Sequence, residues 1–370
     1  MDPKSIDDLV AASQEKWIAR NKATNLLSDL TRYVAAAELF AKHKKTFEGG
    51  LDWCFNVMVA SDNTGNGTAK FVKLFEEDAL NRKDVIVKGK VSPCFLQAGY
   101  YYDLREPQLN SGTDVQLVRF VWEQMELMYQ SFFDKIETTF WGSPTYKADL
   151  STIPAGIGYW LQRQANGSGT HGAGTHPNGG FDGMDPVLPN SSSDSTTAAC
   201  PRAGIASSTY ARWANWAAQY AAVTKADLIK KMRFAVRDTD FKSPLHISEP
   251  KLGTGRAIYC NKATISEMED ILEAQNMNLG NDLASKDGKT IFKGNPVEYV
   301  PYLNGDATDP VYMIDWGTMC LGVLAGWDKK VSAPETVSGQ HNTRRVFMDA
   351  SLNFVCTNLR NQAVLAKASA

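Results

Sequence analysis

The chain reads as a mixed α+β fold, on three observations. Its last fifth carries short β-patterned runs, GNPVEYVPYL from Gly294, DPVYMIDWGTMCLGVLAGW from Asp309 and RVFMDASLNFVC from Arg345, with almost no helix signal between them. One long stretch from Thr113 to Phe140 keeps its apolar residues three or four apart, the period of a helix face. Residues 51 to 59 alternate apolar and polar, as a strand with one buried face does. In the late runs Val297, Tyr299 and Pro301, and then Val346, Met348, Leu352, Phe354 and Cys356, recur at intervals close to two. That spacing sets side chains on one face of a sheet, whose remaining strands must come from earlier segments.

Taken in order, residues 1 to 49 read as two charged, modestly amphipathic helices. The first has Leu9, Val10, Trp17 and Ile18 as its stripe, the second Leu27, Leu30, Val34 and Leu39. Neither buries that stripe alone, so each packs on its own subunit or on a neighbouring one. Leu51, Trp53, Phe55, Val57 and Val59 then form the apolar side of a half-buried strand. The turn-rich SDNTGNG follows, then AKFVKLF, the charged EEDALNRKD and a second strand candidate, VIVKGKV. This is a long hairpin whose outer part is too polar for a core. An isolated two-stranded ribbon is marginal in water, so it rests on something else.

Thr113 and Gln116 fit a capping box that opens the long helix. Val118, Val121, Trp122, Met125, Met128, Tyr129, Phe132, Ile136 and Phe140 line its apolar face, and WGSP ends it. At about 1.5 Å per residue the helix is roughly 40 Å long. Residues 165–200, rich in Gly, Ser and Asn and lacking Lys and Arg, form one low-complexity insert. Beyond it, Ser208–Ala222 and Lys225–Val236 read as helices, Arg256–Cys260 as a strand and Ile265–Gln275 as another helix.

At 370 residues the chain can bury a substantial core, and its 43% hydrophobic and 22% charged content is ordinary for a globular protein. A net charge of −2 argues against a dedicated nucleic-acid reader. The start MDPKSIDDLV lacks the pattern of a secretory signal, and no run approaches about 18 apolar residues, so a cytosolic origin without membrane contact is expected. The six cysteines lie tens of residues apart without a CxxC pair, which reads as buried free thiols.

Enzymatic motifs fail on inspection. Gly167, Gly169 and Gly172 match GxGxxG only inside the polar insert, without the strand and helix that cradle a pyrophosphate. Gly288, Lys289 and Thr290 resemble the end of a P-loop, but Leu283 stands where its first glycine belongs. His171 and His176, with Asp182 and Asp185, offer a weak divalent-cation signal, a structural Ca²⁺ ion sooner than a catalytic one. The expectation is therefore no enzyme, no cofactor and no metal, with a metal-dependent hydrolase on those four residues as the last alternative.

The late strands, the hairpin and the long helix together resemble the major capsid proteins of tailed double-stranded DNA bacteriophages, the family with the HK97-like shell fold. The resemblance is to order and texture and covers most of the chain. It implies residues 1–49 as an N-terminal arm, 50–110 as the extended hairpin loop with flanking strands, and 111–150 as the spine helix of a peripheral domain. It further implies 151–305 as a mixed axial domain holding the insert, and 306–370 as strands returning to the peripheral domain. The implied function is a virion shell protein, made in the host cytoplasm, that assembles through hexameric and pentameric capsomers into an icosahedral container for the phage genome. An encapsulin-type compartment is the alternative on the same fold.

The implied partners are further copies, a separate scaffolding protein, a portal, a decoration protein on the outside and packaged double-stranded DNA touched without sequence reading. Some family members weld subunits by a Lys to Asn isopeptide bond beside a buried Glu; Glu76, Glu77, Asp78, Lys83, Lys88 and Lys90 single out no such triad. The basic faces at Lys42, Lys44 and Lys45 and at Lys230, Lys231, Arg233 and Arg237 are either DNA contacts or solvated helix surface. Candidate intersubunit anchors are Trp17 and Leu30 in the arm, Phe71 and Phe75 in the hairpin, and Trp213 and Trp216, each of which is alternatively core of its own subunit.

Overall fold

The computed structural model describes residues 30, 32–58, 73–74, 86–103, 105, 114–142, 144, 150–161, 163, 170–171, 202–205, 210, 213–240, 255–276 and 290–367. In chain order the elements are helix α1 (Ala35–Ala41) and strands β1 (Lys44–Phe47), β2 (Trp53–Met58), β3 (Ile86–Val91) and β4 (Cys94–Asp103). Then come helices α2 (Asp114–Trp141) and α3 (Ile157–Trp160) and strands β5 (Thr170–His171) and β6 (Trp216–Tyr220). Helix α4 (Leu228–Asp238), strand β7 (Arg256–Cys260) and helix α5 (Lys262–Asn276) follow. The rest is β: β8 (Ile291–Phe292), β9 (Asn295–Tyr299), β10 (Val311–Asp315), β11 (Met319–Leu324), β12 (Lys330–Val331), β13 (Glu335–Val337), β14 (Gln340–Cys356) and β15 (Ala363–Lys367).

Strand β14 is the backbone of the first sheet. Along one edge it pairs with β11, β12 and β13, and along the other with β4, antiparallel in each case, while β1 adds to β11 in parallel. The period-two pattern holds from Val346 through Met348 to Ala350, with Phe347 and Asp349 half-buried between them, and from Ser351 to Cys356 both faces of the strand are buried. Helix α2 packs on β4 of this sheet. Its 28 residues span about 42 Å, and its described stripe of Met128, Phe132, Ile136 and Phe140 is buried as the spacing requires. Thr113 of the expected capping box lies outside the described residues.

The second sheet runs β5-β6-β15-β10-β7-β9-β8. One face carries α4 and α5, whose Leu228, Met232, Ala235 and Met268 join Trp216, Ala218, Ile258, Val311 and Leu365 in a single apolar cluster. The other face meets the end of α2, where Phe140 and Trp141 make ring contacts with Tyr259, Tyr312, Trp316 and Phe354. That aromatic cluster welds the two sheets. Strands after residue 306 divide between them, β10 and β15 in the second and β11 to β14 in the first.

Two expected elements differ. Trp216–Tyr220, expected as part of a helix over Ser208–Ala222, is a strand pairing in parallel with β15. It is covered on both faces, so Trp216, Ala217, Ala218 and Tyr220 are all buried and the alternation that marks a strand is erased. Residues 44–47, expected within a helix, form β1 because the backbone of β11 offers them a parallel partner, their own side chains being mostly exposed.

Candidate assembly surfaces

Strands β2 and β3 form a two-stranded sheet of their own, with Trp53 opposite Val91 and Met58 opposite Ile86. Its inner face docks by aromatic contact. Trp53 stacks on Phe47 with ring centroids 4.6 Å apart, and Phe55 leans on Trp213. Gly322 of β11 makes room for the indole: a Cβ there would sit 2.5 Å from the Trp53 ring. The outer face carries Cys54, Asn56 and Met58 and is exposed. At the far end Met58 and Ile86 stand 69% and 60% exposed, an apolar pair with no cover from the described residues.

The start of the described chain is tied to α2 by one buried carboxylate. Glu137 Oε1 accepts from the amides of Val34 and Ala35 at 3.0 and 3.1 Å, and Oε2 accepts from that of Ala36 at 2.8 Å. Trp141 Nε1 donates to the same carboxylate at 2.8 Å. Val34, the N-cap of α1, supplies no side-chain cap, so the orphan amides of the first turn are met from another helix. Phe40 of α1 packs edge-on against Phe133, and Tyr33 donates to Asp134.

A groove of about 410 Å³ runs between α2 and β4. Leu96 to Tyr100 line one wall, and Gln124, Leu127, Met128, Ser131, Phe132 and Lys135 the other. Among the described residues β4 pairs only with β14, so its second edge faces this groove. Phe95 and Tyr101 on β4 are 73% and 59% exposed. From Cys94 to Tyr102 the strand has no charge and no proline, the devices that usually blunt an edge.

Beside β10 of the second sheet lies a buried ion pair. Both terminal guanidinium nitrogens of Arg163 reach the Asp306 carboxylate, and the same group donates to Thr308 and, at 3.0 Å, to Tyr312. Burial alone would raise the Asp306 pKa, but the hydrogen bonds and charge of Arg163, with the Thr308 donors, outweigh it and hold the carboxyl below its ordinary range. The thiols respond to burial in the opposite sense to a reactive cysteine. Cys94 is pushed up to about 11, and Cys260 and Cys356 are raised further.

The candidate anchors fall as follows. Trp17, Phe71 and Phe75 lie outside the described residues, and Leu30 is half-buried. Trp213 and Trp216 are 3% and 0% exposed in the single chain, which places both in the subunit's own core, the second of the two roles open to them. Their indole nitrogens are satisfied internally, Trp213 donating to the Arg202 carbonyl and Trp216 to Asp238. Of the four residues of the cation signal only the backbone of His171 is described, in β5; His176, Asp182 and Asp185 lie outside. Among the described residues no three His, Cys, Asp or Glu gather as a metal site, and no helix is long and apolar enough to cross a membrane. Glu137 and the β4 edge were not anticipated. A carboxylate beside Ile136 in an apolar stripe was the available sign of the first, and the uncharged run CFLQAGYYY that of the second.

Neither a protein-family model nor a curated protein sequence matches the chain. Solved structures do. A chain of the cyanophage A-1(L) capsid asymmetric unit superposes with a TM-score of 0.61 at 12% identity, over 97% of this chain and 99% of that one. The capsid of a native GTA particle gives 0.53 at 12% identity, again over 97% and 99%. A chain of Gordonia phage Cozz gives 0.51 at 9% identity, over 96% and 93%. The fold of this chain is the fold of phage capsid proteins.

Proposed function

We propose that this protein is the major capsid protein of a tailed bacteriophage, a structural subunit that assembles into an icosahedral shell around double-stranded DNA. One observation carries the reading: the likeness to capsid chains runs over nearly the whole length of both partners, not over a shared core with unrelated additions. The surfaces agree with it. Helix α2 takes the part of the spine helix, the β2/β3 ribbon that of the extended loop, and the second sheet with α4 and α5 that of the axial domain. Residues before α1 take the part of the N-terminal arm, with Glu137 as its mooring. Among the described residues β4 keeps an unpaired, uncharged edge and Met58 and Ile86 stand exposed on the ribbon, features that a shell subunit covers with its neighbours.

Several weak contacts per subunit, repeated through a closed lattice, stabilise such an assembly without any one strong interface. Hexameric and pentameric capsomers, a separate scaffolding protein and a portal belong to this reading, as do non-specific DNA contact and a place in the virion. The test is the mass and shape of purified protein, alone and co-expressed with its scaffold. Closed particles or ring-shaped capsomers seen by electron microscopy support the proposal. A species that stays at the 40.7 kDa chain mass at high concentration in both preparations rejects it.

A further inference from the structure

The helical layer of the second sheet is electrically divided, and the division has a direction. Helix α4, LIKKMRFAVRD, carries four basic residues against one acidic, while α5, KATISEMEDILEAQN, carries four acidic against one basic. Both helices cover the same face, but α4 packs on β6 and β15 and α5 on β9, toward opposite edges of the strand order. One flank of the layer is therefore basic and the other acidic, in a chain whose net charge is only −2.

The charges that matter face outward. Lys230, Arg233 and Arg237 follow at intervals of three and four, so they form one exposed stripe on α4, beside an exposed Phe234. On α5 the exposed pair Glu267 and Asp270 is likewise three apart. Among the described residues none of these five enters an ion pair, although Lys231 on the inner side of α4 is bound to Asp227 at 2.5 Å. The cations and anions are opposite in sign and lie on opposite flanks, and among the described residues neither set is ion-paired within its own copy.

We infer that the α4 flank of one subunit meets the α5 flank of the next, Lys230, Arg233 and Arg237 facing Glu267 and Asp270. This rests on the shell reading above and names the partner of that layer as a second copy in head-to-tail contact. Such a contact is heterologous, and repeated around an axis it closes into a ring. Its charges set register and partner choice more than they add affinity, and salt weakens them. A nucleic-acid backbone would satisfy the basic stripe alone and would leave the matching acidic stripe on the opposite flank without a purpose.

The test is a reciprocal charge reversal in the full chain. Lys230→Glu with Arg233→Glu makes both flanks acidic; Glu267→Lys with Asp270→Lys makes both basic. Each preparation is checked by circular dichroism and thermal melting, so that only folded variants are compared, and assembly is followed by analytical sedimentation at low and high salt. Each variant alone should need at least about tenfold more protein to assemble than the unaltered chain, since like charges are brought together. An equimolar mixture should recover six-membered rings, because alternating the two variants there restores an opposite-sign contact at every junction, whereas a five-membered ring keeps one like-sign junction.

Either folded variant assembling by itself as readily as the unaltered chain overturns the inference, as does a mixture that stays dissociated. Normal assembly of the α4 variant with loss of bound duplex DNA would transfer the basic stripe to nucleic acid and also overturn it. Failure of the unaltered chain to assemble under any condition would count against the shell reading instead.

Discussion

Glu137 joins two segments that lie more than a hundred residues apart, and removing its carboxylate isolates several buried donors at once. Each buried amide left without a partner costs about 1–3 kcal/mol, so Glu137→Ala should lose about 3 kcal/mol or more of unfolding free energy in urea. Glu137→Gln keeps the shape and one acceptor and should lose less; equal stability of the Ala variant and the parent would remove the residue from this role. The Arg163–Asp306 pair makes a pH-dependent contribution of opposite visibility. Because the folded chain holds Asp306 below its ordinary pKa, the unfolded chain binds that proton more readily, and stability rises with pH through the window. The contribution is complete above about pH 4 and fades as pH falls through the lower folded value. Asp306→Asn should therefore be less stable than the parent by on the order of 3 kcal/mol at neutral pH, with the gap narrowing in acid. A gap that stays constant from neutral pH to about pH 2.5 would show that charge is not what the pair contributes.

At the scale of elements, the docking of the β2/β3 ribbon turns on one missing side chain. Trp53 lies across Gly322, and an alanine there would bring its Cβ to 2.5 Å of the ring, so Gly322→Ala must push the indole off β11. The same Cβ would also meet the Phe47 ring of β1 at 2.9 Å, so the change falls on the β1 side of the first sheet and outside the ladder of β14 with β4. Hydrogen exchange at the amides of residues 53–58 and 86–91 should accelerate in this variant while the β14–β4 ladder keeps its protection. Loss of protection in both regions together would show instead that ribbon and sheet are a single cooperative unit. The ribbon was also among the elements most legible in the sequence, since Trp53, Phe55 and Val57 alternate with exposed Cys54, Asn56 and Met58 as a half-buried strand should. The long helix was legible for the same reason, one face being buried and the other not. Strand β6 was not, because burial on both faces removes the period, and β1 was not, because its pairing comes from the β11 backbone and not from its own side chains.

At the scale of the whole molecule, the period of a strand identifies a face and leaves its partner open. That is why β14 could be read from Val346 to Cys356 while the division of the late strands between two sheets could not. The parallel pairings of β1 with β11 and of β6 with β15 join segments far apart in the chain, and only the folded chain shows them. The same limit applies to assembly: the sequence marks apolar residues without cover but does not say which copy covers them. The hairpin can be tested directly, because Met58 and Ile86 stand opposite each other as the last described pair of the ribbon. An Asn-Gly pair closes two such strands in a tight turn, so residues 59–85 can be replaced by two residues without disturbing the register of Trp53–Met58 against Ile86–Val91. The strand pairings of the two large sheets use no residue of the excised segment, so the shortened chain should fold and melt within a few degrees of the parent, an effect of under about 1 kcal/mol. If that segment bridges neighbouring subunits, the folded chain should nevertheless remain as subunits under conditions where the parent forms shells. Shells of the parental size from the shortened chain would mean that the segment from residue 59 to 85 is dispensable, and would move the main lateral contact to the β4 groove or to the helical layer of the second sheet.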